Sequence, residues 1–370
     1  MNERDRFLTV MRGELADRPP HHELGLWGQT AETYVRQGMP ESAAEADWQR
    51  GCDWLGLDRR DYVPLDTGPL PRFEREVLSE TDRCVTYRDA SGVVRRALKE
   101  GKTRGTRASM DQFLEHPVKD AGDFERMRER YDPRDPARYP QNWEVLVRHW
   151  RGRSFPLALP ENATFGFYNT LRTWMGTEGL SVALHDDPEL VERMVEFLAD
   201  FFIELARPAL DELEVDYLSI FEDMAFRSGP LLSPRTFRRF FGGAYRRLAR
   251  FARERGVEAV WVDSDGDLEP LMDELLDAGI TCLWPCEVAA GMDPVRLRER
   301  WGADAVFSGG VDKRVLAGDK EQIDRHLERL RPVVRGGGYI PTVDHIIPPD
   351  VPYENFLHYL DAKKRLLEGP

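Results

Sequence analysis

The sequence predicts an α/β protein folded as a (β/α)8 TIM barrel. From about residue 155, short apolar runs alternate with long amphipathic stretches, which is the pattern of strand–helix units in a parallel sheet. Two earlier apolar runs bring the number of predicted strands to eight, the number that closes such a barrel. An open doubly wound sheet shows the same alternation, so the pattern alone leaves the strand order open. The predicted strands are 21–27, 51–57, 154–160, 215–221, 257–262, 280–285, 304–310 and 337–343.

Helical patterns fill the intervals between these strands. Ser233 before Pro234 and Asp293 before Pro294 are typical helix starts, because a capping side chain and a first-turn proline both suit the free amides there. Residues 60–150 do not follow the alternation, and 84–98 predicts a hairpin about "DASG". We therefore expect one domain over residues 1–370, with an inserted hairpin and loop region near residues 60–150 that covers one mouth. The predicted helices lie near 180–206, 233–255, 268–278, 294–302, 319–334 and 353–367.

Composition and charge exclude several classes of protein. Hydrophobic residues make up 41% and charged residues 32%, which is ordinary for a soluble globular chain. The formal net charge of -14 argues against nucleic-acid binding, which needs a basic face for the phosphates. No apolar stretch reaches the roughly 18 residues of a membrane span, and the first residues lack a signal core, so we expect a cytoplasmic protein. The four cysteines are too scattered for a disulfide framework.

Polar residues follow nearly every predicted strand, at the barrel end that carries the chemistry in such folds. Asp263 and Asp265 share one face of an extended chain, and Gly266 permits a turn directly after them. With His345 they form a set of oxygen and imidazole donors that suits a divalent metal. The alternative is a hydrogen-bonded turn or a helix cap, and we interpret Asp267 as a cap. The polar residues after strands are Glu161, Asn162, Glu222, Asp223, Asp263, Asp265, Asp267, Cys286, Glu287, Asp312, Lys313, Asp344 and His345.

Six segments, taken in order, carry a family resemblance. They are "DRPP" (17–20), "TLRTWMGTEGL" with "DDPELVERMVEFLADF" (170–201), "FEDMAFRSGPLLSPRTFRRFF" (221–241), "WVDSDGDLEPLMDELLDAGI" (261–280), "FSGGVDKRVLAGDKEQI" (307–323) and "GGYIPTVDHIIPPDVPYENF" (337–356). Together they resemble the uroporphyrinogen decarboxylase superfamily, which includes corrinoid-linked methyltransferases such as methylcobalamin:coenzyme M methyltransferase. The resemblance covers most of the chain and implies a (β/α)8 barrel with its site at the carboxyl ends of the strands.

Two departures from the family patterns bear on function. Uroporphyrinogen decarboxylases follow the proline pair with an arginine- and glutamine-containing segment that grips substrate carboxylates, whereas this chain has "HHELGLWGQT", so haem synthesis is not expected. The methyltransferase branch has histidine and cysteine zinc ligands at the positions of Asp263, Asp265 and His345. Oxygen and imidazole donors in their place argue against a thiol acceptor while still permitting a metal, with Glu222 as a fourth ligand.

The leading prediction is metal-assisted methyl transfer on a small polar substrate, with zinc as the expected metal and a corrinoid supplied by a partner protein. One alternative is a decarboxylase for a small acid held by Arg227 or Lys313, and another is a non-catalytic barrel that binds a small molecule. A homodimer is also considered. The predicted catalytic residues and metal ligands are Glu222, Asp263, Asp265 and His345, and the predicted substrate-binding residues are Trp27, Phe165, Tyr168, Arg227 and Lys313.

Overall fold

The computed structural model describes residues 1–107, 109–160 and 164–368. The strands are β1 Asp61–Tyr62, β2 Glu76–Glu80, β3 Cys84–Arg88, β4 Val94–Leu98, β5 Lys102–Thr103, β6 Thr106–Arg107, β7 Gln112–Glu115, β8 Leu157–Leu159, β9 Tyr217–Phe221, β10 Ala225–Phe226, β11 Gly229–Pro230, β12 Ala259–Asp263, β13 Cys282–Trp284, β14 Val306–Val311 and β15 Tyr339–Val343. The α-helices are α1 Glu3–Met11, α2 Gly28–Arg36, α3 Glu41–Glu45, α4 Ala121–Arg128, α5 Trp143–Trp150, α6 Phe167–Asp186, α7 Pro188–Glu212, α8 Pro234–Phe240, α9 Gly242–Arg253, α10 Met272–Asp277, α11 Pro294–Trp301, α12 Lys313–Leu316, α13 Lys320–Arg335 and α14 Tyr353–Glu368.

Seven of these strands form one curled parallel sheet, in the order β1-β8-β9-β12-β13-β14-β15. The segment 21–26 lies between its two edges. Leu26 bridges Ile347 in parallel beyond β15, and on the other side the Asp58 amide donates to the His21 carbonyl at 2.9 Å. Helices follow the strands along the chain, as right-handed strand–helix units require. The predicted TIM-barrel fold is thereby confirmed.

Two predicted strands differ from the structure: 21–27 forms only the isolated bridge of Leu26 with Ile347, and 51–57 is not a strand. Residues 51–57 form a 3-10 turn at Asp53–Leu55 rather than a barrel strand, and the second strand of the barrel is β1. Gly51 and Gly56, at φ 106° and 66°, take backbone conformations that disfavour other residues and turn the chain at both ends of the segment. Cys52 and Leu55 between them are buried as parts of a turn, while Trp54 is exposed, and apolar residues at this spacing resemble the pattern of a strand.

The interior of the barrel is filled by large side chains, and α1 closes its amino end. The Phe7 ring lies 4.8 Å from the Tyr217 ring and 6.3 Å from the Trp261 ring. Phe7, Tyr217 and Trp261 are all buried. Since the amino end is packed, ligands can enter only from the carboxyl ends of the strands.

The barrel is closed by a buried ion pair between the first segment and the last helix. The Lys363 ammonium, on α14, contacts a Glu23 carboxylate oxygen at 2.6 Å, and both side chains are essentially inaccessible to solvent. Glu23 also accepts hydrogen bonds from the Val343 amide at 3.0 Å and from the Tyr359 hydroxyl. This one carboxylate therefore connects the first segment, β15 and α14.

The inserted region is larger than the predicted hairpin. The hairpin itself is confirmed, because β3 and β4 pair antiparallel from Cys84↔Leu98 to Arg88↔Val94. Strands β2 and β7 extend it to a four-stranded antiparallel sheet, hereafter the inserted sheet. The segment that follows this sheet is hydrogen-bonded to α6, where the Val118 amide donates to the Trp174 carbonyl at 2.8 Å. Among the helices of the described ranges, none is both long and apolar enough to cross a membrane.

Candidate active site

A cavity of about 490 Å³ opens at the carboxyl ends of the barrel strands, hereafter the acidic cavity. It brings together three of the predicted site residues, Asp263, Asp265 and His345, and adds Asp223. Aromatic side chains from three different strands form much of the remaining wall. The described lining residues are Leu24, Asp47, Gln49, Tyr62, Pro160, Ser219, Phe221, Asp223, Asp263, Asp265, Trp284, Pro285, His345 and Ile346.

Strand register explains why Asp263 points into this cavity. It is the last residue of β12, level with Phe221 of β9 and Trp284 of β13. Trp261, two residues earlier, faces the same side and fills the barrel interior below it. Directly after Asp265 the chain turns at Gly266, at φ 86°, where a Cβ would lie 2.7 Å from the Ala225 carbonyl carbon.

Asp263 lies in surroundings that favour its neutral form. Burial raises the pKa of its carboxyl well above the ordinary value, and the neighbouring Asp265 and Asp223 carboxylates raise it further. The buried Arg60 guanidinium acts in the opposite direction. Within the described part of the chain, no group donates a hydrogen bond to the Asp263 carboxyl, which leaves both oxygens free to meet a ligand.

Asp223 is the residue of the Glu222–Asp223 pair that lines the cavity. Side chains alternate along β9, so Ser219, Phe221 and Asp223 share the inner side and Glu222 faces outward. Asp223 has φ 46°, an unusual conformation for a non-glycine residue. Arg172 of α6 holds it there, donating to its carbonyl at 3.1 Å and to its carboxylate at 3.3 Å. Burial and the negative charge of Asp265 raise the pKa of the Asp223 carboxyl, and the positive charge of Arg172 acts in the opposite direction.

The structure places Glu222 outside the acidic cavity, at the start of α6. Its two oxygens accept hydrogen bonds from the Phe167 amide at 2.7 Å and the Asn169 amide at 2.9 Å, and from the Tyr245 hydroxyl. Burial raises its pKa to about 7, although these hydrogen bonds oppose the shift. The carboxyl thus caps a helix and positions Asp223 beside it, and it is not oriented toward a ligand.

His345 and Asp265 form a polar pair on the wall of the acidic cavity. The His345 Nε2 atom lies 3.6 Å from an Asp265 carboxylate oxygen, and both side chains keep about a third of their surface accessible. This distance is longer than a direct hydrogen bond, so the pair is loosely held and open to a bound molecule.

The five predicted substrate-binding residues lie elsewhere. Phe165 and Tyr168 are buried in the core, where the Phe165 ring packs 4.5 Å from the Phe202 ring. Lys313 is paired with Glu287 at 2.9 Å. Arg227 is exposed in the turn between β10 and β11, and Trp27 precedes α2 without reaching the cavity. The predicted strand-end residues Glu161 and Asn162 lie outside the described residues.

The sequence interpretation missed the wall formed by Asp47, Gln49 and Tyr62. Tyr62 belongs to β1, and its hydroxyl lies 3.4 Å from the Gln49 side-chain oxygen. Beneath them Arg60 donates to the Gln49 carbonyl at 2.6 Å and lies 5.8 Å from the centre of the Tyr62 ring. Asp47 precedes the 3-10 turn Trp48–Arg50 and Gln49 belongs to it. That turn is too short to leave a periodic pattern, so among the three only the aromatic Tyr62 was a recognisable candidate.

The donor groups do not form a metal site as they are arranged. Among the residues that the structure describes, no three histidine, cysteine or carboxylate side chains are grouped closely enough to hold an ion. Cys286 is buried with its thiol toward the Leu283 carbonyl, and burial raises its pKa to about 12, which disfavours the thiolate that zinc binds. We therefore derive no step through a metal, and the zinc and corrinoid predictions stay predictions.

Comparison with known proteins assigns the family. The family model for uroporphyrinogen decarboxylase (URO-D) matches residues 114–366, which is more than half of the chain. The chain belongs to the uroporphyrinogen decarboxylase family. A family protein, the uroporphyrinogen decarboxylase of Danio rerio, is 24% identical over 372 residues that cover 97% of this chain and 92% of that protein. The resemblance predicted from sequence motifs is confirmed.

The fold of the family is also found in a methyltransferase from Methanosarcina mazei. Its structure matches with a TM-score of 0.60 and 18% identity over 98% of each chain. At this identity the likeness establishes the fold alone. Membership of the decarboxylase family supports a barrel enzyme at the level of the family, whereas the type of reaction depends on the chemistry of the acidic cavity.

Proposed function

We propose that the protein is an enzyme that removes a methyl group from a small neutral or cationic substrate, with the Asp263 carboxyl as proton donor. The observation that carries this proposal is the convergence of four aspartates on one cavity with aromatic walls. A buried carboxyl whose pKa is raised is the kind of group that acts as a general acid near neutral pH.

The charge of the lining selects against anions. Asp47, Asp223, Asp263 and Asp265 contribute carboxyls, and no arginine or lysine side chain is among the described lining residues. An anionic substrate would meet like charges in a partly buried site, whereas a cation or a neutral polar group would be attracted or tolerated. Tyr62, Phe221 and Trp284 offer ring surfaces that suit an aromatic or cationic group.

In the proposed reaction the bond between the methyl carbon and a substrate oxygen breaks, and its electron pair stays on the oxygen. The Asp263 carboxyl gives its proton to that oxygen, so a neutral hydroxyl leaves and Asp263 becomes a carboxylate. The methyl group passes to a nucleophilic acceptor. The sequence resemblance suggests a corrinoid on a partner protein as this acceptor, and that part of the proposal rests on the resemblance alone.

Decarboxylation of a small acid is the second candidate. It is favoured by the activity for which the Danio rerio relative is named and by Asp263, whose proton would replace the lost carbon dioxide. The acidic cavity offers such a substrate no lysine or arginine among its described residues, and Arg227 and Lys313, the predicted partners of its carboxylate, lie elsewhere. Methyl transfer from a neutral or cationic molecule therefore fits the cavity better.

Three matched ethers test the proposal: 4-methoxybenzylamine, 4-methoxybenzyl alcohol and 4-methoxybenzoate, each with cob(I)alamin as the methyl acceptor. We expect the phenol product from the cation and from the neutral ether, and at least about tenfold slower turnover of the anion. Repulsion between the substrate anion and the aspartates that costs about 1.4 kcal/mol is enough for a tenfold ratio. The phenols are measured by chromatography and carbon dioxide is trapped in parallel. Carbon dioxide release from a panel of small acids, with no methyl transfer from any ether, would contradict the proposal.

A further inference from the structure

A second and larger cleft adjoins the acidic cavity. It lies between the inserted sheet and α6 and has a volume of about 1500 Å³, hereafter the sheet–helix cleft. Phe221 and Asp223 line both spaces, so the two meet at the end of β9. The acidic cavity is of the size that holds a small ligand, whereas the sheet–helix cleft exceeds the usual range of about 300–1,000 Å³.

Both walls of the sheet–helix cleft expose apolar side chains. Phe113 and Leu114 belong to β7 of the inserted sheet, and Phe113 is 48% exposed. Val182, opposite on α6, is 52% exposed, and Met175 lies nearer the junction. Facing apolar residues that line one concave surface are typical of a ligand groove, because a molecule between them removes apolar area from water on both sides.

The charged residues of the sheet–helix cleft oppose an anionic occupant. Its described lining includes seven carboxyl side chains and four basic ones. Three of the basic residues are already paired with carboxylates: Arg72 with Asp66, Arg95 with Asp89, and Arg172 with Asp223. The cleft thus has the same charge preference as the acidic cavity, which suits one continuous ligand.

Asp223 and Arg172 fix the junction between the two spaces. Arg172 binds the Asp223 carbonyl and carboxylate and also contacts the Asn169 side-chain oxygen at 3.1 Å. These contacts draw the guanidinium toward the end of β9 and α6. Because Phe221 and Asp223 line both spaces, a molecule whose polar end contacts Asp263 lies directly beside the sheet–helix cleft.

We infer that the substrate is amphipathic, with a neutral or cationic head in the acidic cavity and an apolar tail in the sheet–helix cleft. This inference rests on the proposed function and adds the second half of the substrate to it. The inserted sheet, which supplies β7, then acts as a specificity element that selects substrates by the length of the tail.

A homologous series of alkyltrimethylammonium ions tests the inference by calorimetric titration of the whole protein. Tetramethylammonium, butyltrimethylammonium and octyltrimethylammonium are used below their micelle concentrations. Each fully buried methylene strengthens binding about three- to fourfold, so a partly open cleft is expected to give the octyl ion at least about a tenfold lower Kd than tetramethylammonium. Octyl sulfate, which has the same tail and an anionic head, is expected to bind at least about tenfold more weakly than the octyl cation.

Two exposed positions give variants that separate the cleft from the rest of the surface. Phe113→Ser with Val182→Ser is expected to abolish the gain with tail length and to leave tetramethylammonium binding unchanged. Val145→Ser, at a valine 54% exposed on α5 outside the cleft, is the matched control and is expected to keep the gain.

The outcomes distinguish this inference from the proposed function. If tetramethylammonium binds and the affinity does not rise with tail length, or rises equally in the double variant, the inference of an amphipathic substrate is wrong. The charge preference proposed for the acidic cavity is then unaffected. If no cation of the series binds while octyl sulfate does, the charge preference of the acidic cavity is wrong and the proposed function falls with it.

Discussion

Asp263→Asn is expected to lower kcat by about 10²–10⁴-fold, the range that one general acid contributes. Asparagine has nearly the same shape, but its amide has no proton of suitable acidity for the leaving oxygen. Substrate binding should change much less, because the head of the substrate still meets the Asp223 and Asp265 carboxylates. Steady-state kinetics on the neutral ether measures both effects as kcat and KM.

Asp267→Asn is the matched control for this substitution. Asp267 lies four residues after Asp263, beyond the end of β12, and its side chain accepts a hydrogen bond from the Glu269 amide at 3.0 Å. Leu268 holds the position directly before the turn Glu269–Leu271, where the sequence predicted Asp267 as the cap. Asparagine can accept the same hydrogen bond as aspartate. The kcat of Asp267→Asn should therefore stay within about twofold of that of the unsubstituted protein. Equal kcat values for the Asp263 and Asp267 variants would mean that Asp263 is not the proton donor of the reaction.

Lys363→Met is expected to lower the free energy of unfolding by about 3–5 kcal/mol, the usual cost of breaking a buried ion pair. The substitution leaves the Glu23 carboxylate buried with no opposing charge, although the Val343 amide and the Tyr359 hydroxyl still donate to it. Denaturant unfolding followed by circular dichroism measures the change.

Two further variants test the cause of that loss. Lys320→Met removes a half-exposed lysine whose partner Glu354 lies 3.5 Å away, and it should cost no more than about 1 kcal/mol. The double variant Glu23→Gln with Lys363→Met should recover part of the stability, because no charge is then buried. A double variant less stable than Lys363→Met alone would mean that the ion pair does not hold the barrel closed.

Much of the barrel could be predicted because buried parallel strands are continuous apolar runs. The same reasoning located Asp263 and Asp265, since residues two apart at a strand end face one side. Applied to 219, 221 and 223, it also identifies Asp223 as the inward residue and Glu222 as the outward one. Predicting Glu222 as a ligand from its residue type and its place after the strand ignores the side of the strand on which each side chain lies.

The strand β1 could not be predicted because its charged residues are satisfied by distant partners. Arg60 lies under the Tyr62 ring and binds the Gln49 carbonyl, and Asp61 accepts from the Trp150 indole at 2.9 Å. A run that contains arginine and aspartate reads as a loop until those partners are known. The substrate-binding role predicted for Phe165 and Tyr168 has a different weakness. Aromatic residues after a strand can face the mouth of the barrel or, as these two do, pack against the helices outside it.

The protonation of Asp263 is the central claim, and a carbon-13 titration of its carboxyl tests it most directly. The protein is labelled at the aspartate side-chain carboxyls, and the Asp263 signal is assigned by its loss in Asp263→Asn. Because burial and two neighbouring aspartates raise its pKa, the signal should titrate at a pH well above that of the exposed aspartates. Turnover should then fall as the pH rises through the same midpoint, since the proton donor is lost. An Asp263 carboxyl that titrates together with the exposed aspartates would contradict the account.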